Sequence, residues 1–111
     1  MSFVGHQAAG AGGGDVRTLA LDIRNRIPAE RPSVTAIVGT GSGKPAVVVA
    51  VNDAGRTVGL SANTLVRAAS EVLGGKGGGK DDVAQGGGAD ASRAADALAA
   101  VRHAIGERRA G

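Results

Sequence analysis

Val34-Thr-Ala-Ile-Val-Gly-Thr-Gly-Ser-Gly-Lys-Pro-Ala-Val-Val-Val-Ala-Val51 is the stretch on which the fold turns. Residues 34–38 and 46–51 are apolar and largely β-branched, which suits a pleated, packed strand. Residues 39–45 between them carry the Gly, Ser and Pro of a turn, so the whole stretch reads as a hairpin. The second strand is apolar on both of its faces. A strand of that kind lies inside a sheet and is covered on each side.

Upstream, residues 3–8 read as a strand that runs into a glycine cluster, Gly10, Gly12, Gly13 and Gly14. Asp15 can cap the helix that follows, in which Val16, Leu19, Ala20, Ile23 and Ile27 recur at helical spacing until Pro28 stops it. A strand, a helix and a second strand imply a right-handed crossover with the two strands parallel, whereas the hairpin makes the third strand antiparallel to the second.

Downstream, the chain turns out again over residues 52–55. Ser61 or Asn63 can cap a second helix with Leu65, Val66, Ala69, Val72 and Leu73 on one face, ended by Gly74 and Gly75. A third helix, capped by Asp90, buries Ala91, Ala94, Ala95, Leu98, Val101 and Ile105 and fades at Gly106. The expected architecture is α/β: a single domain over residues 1–111, with a small mixed sheet, parallel crossover plus hairpin, covered by three helices. Met1 and Ser2 stand directly before a strand, so the domain is expected to be excised from a longer protein.

At 111 residues the chain is too short for a synthetase, kinase or dehydrogenase. Phe3 is the one aromatic residue, which leaves a small-grained core and almost no platform for stacking bases. The net charge of +3 and pI of about 10.2 favour a polyanionic partner. With no cysteine, disulfides, thiolate metal sites and cysteine nucleophiles are excluded, and a reducing compartment, the cytoplasm, is expected. The longest apolar runs are far too short to span a bilayer, so no membrane partner is expected.

Gly39-Thr-Gly-Ser-Gly-Lys44 resembles a P-loop but fails as one. The spacing is one residue short, Pro45 stands where Ser or Thr would hold magnesium, and a strand follows where the phosphate cradle needs a helix N-terminus. His6 and His103 lack partners at ligand spacing and read as a partly buried strand residue and a helix-face residue. Asp81 and Asp82, adjacent in sequence, read as solvated loop residues. Neither a metal nor any other cofactor is expected.

The remaining segment, Gly74-Gly-Lys-Gly-Gly-Gly-Lys-Asp-Asp-Val-Ala-Gln-Gly-Gly-Gly88, reads as a loop between the second and third helices. So many glycines are costly in entropy unless the backbone takes positive φ or comes close to something. A flexible loop is one reading. The other is an anion-binding nest of bare amides, completed by Lys76 and Lys80 beside a helix N-terminus.

This run, with the alanine-rich helix after it, is similar to the signature of the DHH-associated domain family, and particularly of its alanyl-tRNA synthetase members: a glycine triplet, a basic residue, Asp, a hydrophobic residue and Ala-Gln before a second glycine cluster. Lys80, Asp82, Val83, Ala84 and Gln85 match in order. In the related DHH phosphodiesterases a histidine that helps hold substrate phosphate follows the triplet, and here Lys80 stands in its place. Neither the Asp-His-His metal motif nor the zinc cluster of alanine-editing domains is present. The resemblance therefore implies a noncatalytic domain of a ligase that grips the outer corner of tRNA, taken as alanine-specific, alongside the remaining domains of the parent synthetase, and helps couple aminoacylation with editing. The RNA-binding residues expected are Arg67, Lys76, Gly77, Gly78, Gly79, Lys80, Asp82, Gln85, Gly86, Gly87 and Gly88, with Lys44 as a weaker addition. Two alternatives stay open: a nucleotide-phosphate-binding domain of a DHH phosphodiesterase, and an oligomerisation domain with weak self-association.

Overall fold

A computed structural model describes residues 2–8, 13–28, 30–41 and 44–110. Strand β1 (Ser2–Ala8) leads to helix α1 (Gly13–Arg26), and then to the hairpin of β2 (Ser33–Gly39) and β3 (Ala46–Val51). Helices α2 (Asp53–Thr57) and α3 (Ala62–Leu73) follow, then β4 (Gly77–Gly79) and β5 (Val83–Gly87). A 3-10 turn at Ala91–Arg93 opens helix α4 (Ala94–Ala110).

The sheet has five strands in the order β1-β2-β3-β5-β4. β1 is parallel to β2, β2 is antiparallel to β3, and β3 lies in the middle of the sheet, as the hairpin and crossover require. Side-chain alternation splits the core in two. Val47, Val49 and Val51 face α3 and α4, with Val34, Leu65, Val66 and Val101. Val48 and Ala50 face α1, with Val16, Ala20 and Ile37. All five of these β3 residues are fully buried, and each valine side chain removed from water contributes roughly 1.5–2 kcal/mol of gross stabilisation.

Four local expectations are corrected. The turn expected over residues 52–55 opens a helix, because Asn52 caps α2: its Oδ1 accepts from the N–H of Gly55 at 2.8 Å and from that of Ser33 at 3.0 Å, while Nδ2 donates to the Arg31 carbonyl at 2.6 Å. Asp15 does not cap α1, which starts at Gly13; it sits in the first turn, where a carboxylate favours the helix dipole. α4 does not fade at Gly106 but continues to Ala110, since one interior glycine costs only about 1 kcal/mol. The glycine-rich segment, expected as a loop, is a β-hairpin that enlarges the sheet.

Elsewhere the punctuation acts as read. Ser61 holds the N-cap position of α3, though its hydroxyl donates to Asp81 and makes no side-chain cap bond, and Gly74 ends the helix in the left-handed region at φ 81°, with the amides of Gly74 and Gly75 returned to Glu71 and Ser70. Asp90 accepts from the Ser92 amide and caps the 3-10 turn that leads into α4. Gly10 and Gly12 of the expected first loop lie outside the described residues, as do Ser42 and Gly43 of the β2–β3 turn. After that turn the chain continues as β3, so no helix backs the Gly39–Lys44 segment.

Candidate nucleic-acid interface

The β4–β5 hairpin forms because β5 supplies one more strand to β3, pairing Ala50 with Val83 through Ala46 with Gly87. Val83 packs toward α1 and Ala84 toward α3 and α4, so a short apolar alternation is enough to seat it. β4 then pairs with β5 in the register Gly77 with Gly86, Gly78 with Gln85 and Gly79 with Ala84.

This pairing removes the expected nest of amides. The N–H of Lys80 donates to Val83, that of Gly87 to Lys76, that of Gly88 to Pro45 and that of Gly75 to Ser70. The glycines are required by close approach. A Cβ on Gly86 would collide with the Ser70 hydroxyl, and one on Gly88 with the Leu73 carbonyl. α3 therefore lies almost directly on the hairpin backbone, and Gly86 and Gly88 serve packing.

The turn from Lys80 to Asp82 is pinned to the scaffold. The Asp81 carbonyl accepts from the first amide of α3, Ala62, at 2.8 Å, and its carboxylate from the Ser61 hydroxyl at 2.9 Å. The Asp82 carbonyl accepts from Val51 at 2.7 Å, and its Oδ1 from the Val83 amide at 2.9 Å. The two aspartates were expected as solvated loop residues; Asp81 is exposed and Asp82 half-buried, and both also anchor the turn, so that Lys80 and Asp81 are its exposed charges.

The expected cations divide between the two faces of the hairpin. On the α3 side, Arg67 and Lys76 border a hollow of about 290 Å³ with Glu71, Gly75 and Gly77. On the α1 side, Lys80, Gly78, Gly79, Asp82 and Gln85 border a hollow of about 320 Å³ with Val83 and Ala84. Arg17, from the first turns of α1, completes this second rim. Sequence reasoning missed Arg17, because only the packing of α1 on the sheet brings it within reach of Lys80. The floor of the second hollow is bare since α1 covers β2 and β3 but leaves β4 open. Lys44 is exposed on the β2–β3 turn and lines neither hollow.

His6, expected to be partly buried, is exposed on edge strand β1, and His103 lies exposed on α4. Among the described residues no group of three His, Asp or Glu side chains is placed to hold a metal ion. Among the same residues no helix is long and apolar enough to cross a membrane.

Residues 1–107 match the family model of the DHHA1 domain. The chain is 58% identical over 111 residues to an alanine-tRNA ligase of Nocardioides sp., a match that covers all of this chain and 12% of that protein. It is 48% identical over 105 residues to the alanine-tRNA ligase of Kineococcus radiotolerans, again 12% of the longer protein. Among solved structures, the C-Ala domain from Aquifex aeolicus alanyl-tRNA synthetase is similar with a TM-score of 0.79 and 25% identity, covering 91% of this chain and 87% of that one. The chain thus spans about one eighth of the curated relatives it matches, and most of the solved C-Ala domain.

Proposed function

The chain belongs to the DHHA1 domain family, and from that membership we propose that it is the noncatalytic tRNA-binding domain of an alanyl-tRNA synthetase. In this reading it holds the outer corner of tRNA for the alanine-specific parent enzyme, needs no cofactor of its own, and works in the cytoplasm beside the remaining domains. A weak module on a tether raises the effective concentration of its RNA at both a synthetic and an editing site, which couples the two without chemistry here.

The observation that carries the proposal is the placement of Lys76 and Lys80 at the two ends of the side-chain-free strand β4, joined by Arg67 on one face and Arg17 on the other. Four cations against Glu71, Asp81 and Asp82 leave this end of the sheet with a small positive balance. Phosphate contact is the chemistry such a surface supports, and it suits a chain with a single aromatic residue.

Labelled tRNA titrated with the domain should bind with an affinity that falls as salt rises, and the double substitution Lys76→Ala, Lys80→Ala should flatten the log–log salt slope by about two. An unchanged slope would remove the hairpin from the interface. The phosphodiesterase reading predicts a mononucleotide seated on Gly78 and Gly79, and the oligomerisation reading predicts a concentration-dependent mass by light scattering. Similarity over the whole chain to alanine-tRNA ligases supports the tRNA reading above both.

A further inference from the structure

β4 is an edge strand, and hydrogen-bond parity decides which of its peptide groups face outward. In an antiparallel pair, residues exchange both bonds with their partner at every second position. Lys80 donates to Val83, and Lys76 accepts from Gly87, so the pairs at 80–83, 78–85 and 76–87 are the bonded ones. Gly77 and Gly79 fall between them. Their N–H and C=O groups therefore point out of the sheet edge, and no side chain of β4 stands in front of them.

Around this edge the charges are arranged on two sides. Arg17 and Lys80 lie on the α1 face with Asp82, whose carboxylate is engaged by the Val83 amide; Arg67 and Lys76 lie on the α3 face with Glu71; and Asp81, exposed in the turn after β4, has its carboxylate held by the Ser61 hydroxyl. The edge itself is uncharged backbone about 10 Å long. A bare strand edge with cations on both flanks complements a shallow channel walled by two rows of anions. It does not complement a single phosphate, which would need converging donors.

We infer that β4 lies edge-on in the minor groove of an A-form RNA duplex, with the outward peptide groups of Gly77 and Gly79 meeting ribose 2′-hydroxyls and the two cation pairs taking phosphates of the two opposing strands. This rests on the tRNA-binding reading above and specifies its contact. The A-form minor groove is wide and shallow and displays 2′-hydroxyls, each both donor and acceptor, which is what a backbone edge offering N–H and C=O can recognise. Bases need not be read, so side chains longer than hydrogen are not required on the edge. A single strand fits less well: recognition of unstacked bases relies on stacking surfaces, and Phe3 lies on β1 at the opposite edge of the sheet.

The test compares tRNA, a short RNA hairpin, a DNA hairpin of the same sequence and an unpaired RNA of the same composition against the whole chain, with the variants Arg17→Ala, Arg67→Ala and their combination. The RNA hairpin is expected to bind at least about tenfold more tightly than the DNA hairpin at equal salt, the cost of losing roughly one or two hydrogen bonds to 2′-hydroxyls. Each single variant should lower the salt slope by about one, and the pair by about two. Equal binding of the RNA and DNA hairpins, with tRNA still bound, would overturn the edge-in-groove contact and leave the tRNA-binding reading standing. So would a slope that responds to one arginine alone, or tighter binding of the unpaired RNA than of the hairpin. Failure to bind tRNA at low salt would overturn both.

Discussion

The β2–β3 hairpin and the β4–β5 hairpin belong to one sheet and are built on opposite principles. In the first, valine after valine fills both layers, and every residue of β2 is buried. In the second, glycines let α3 settle onto the backbone, so contact is gained by removing side chains and not by adding them. The first is held by apolar burial, which is non-directional and weakens in proportion to the side-chain volume removed. The second is held by ladder hydrogen bonds and van der Waals contact at the backbone, where an added methyl has nowhere to go. One hairpin carries the core, and the other is left thin enough to be a contact edge.

The harshest way to probe this contrast is Gly88→Ala, whose new Cβ would overlap the Leu73 carbonyl. We expect a loss of about 3 kcal/mol, at the upper end for overpacking, read as a lower urea midpoint. Hydrogen exchange should show the β4–β5 amides losing protection while those of β2 and β3 keep most of theirs. Uniform loss across both hairpins would show that the two are a single cooperative unit.

Val49→Ala in β3 should cost about 2 kcal/mol through lost burial and the cavity left behind, and should lower the protection of all five strands together. A smaller and more diagnostic effect is expected at Ser70, whose buried hydroxyl has no hydrogen-bond partner and lies against Gly77 and Gly86. Ser70→Ala removes a desolvated polar group and should stabilise the fold by roughly 1 kcal/mol. It should also rescue part of the damage done by Gly77→Ala, whose Cβ would stand 2.6 Å from the Ser70 oxygen. Additive effects in that double variant would remove Ser70 as the contact that forbids a side chain at Gly77. The smallest change is expected for Gly78→Ala, where the nearest atom to a new Cβ is Asn63 Oδ1 at 3.4 Å; stability should move by less than about 0.5 kcal/mol in thermal unfolding.

The difference between the hairpins also explains what could be read in advance. Alternation and turn chemistry located β1, α1, β2, β3 and α3, because each buries a periodic apolar face whose period is a local property of the chain. β4 has no side chains and therefore no period, and β5 has only Val83 and Ala84 to alternate, so their pairing left no local trace. The same glycines that marked the segment as unusual concealed that it was a strand. Asn52 was read as turn chemistry, and only the nearby Ser33 amide and Arg31 carbonyl show why it caps a helix at that point.

The candidate site divides along the same line. Lys76, Lys80 and Arg67 were legible as cations near an odd glycine run, whereas Arg17, on helix α1, lies at least 50 residues earlier in the chain. What the chain settles by itself is the type of its periodic elements, β1, α1, β2, β3, α3 and α4, its small-grained valine and alanine core and its positive balance, since these follow from local periodicity and composition. The partnership of Arg17 with Lys80, the separation of Lys80 from Lys76 by a bare strand, and the outward turn of Gly77 and Gly79 were decided by tertiary structure alone. Strand pairing acts between distant segments, and its parity determines which peptide groups remain unpaired at an edge.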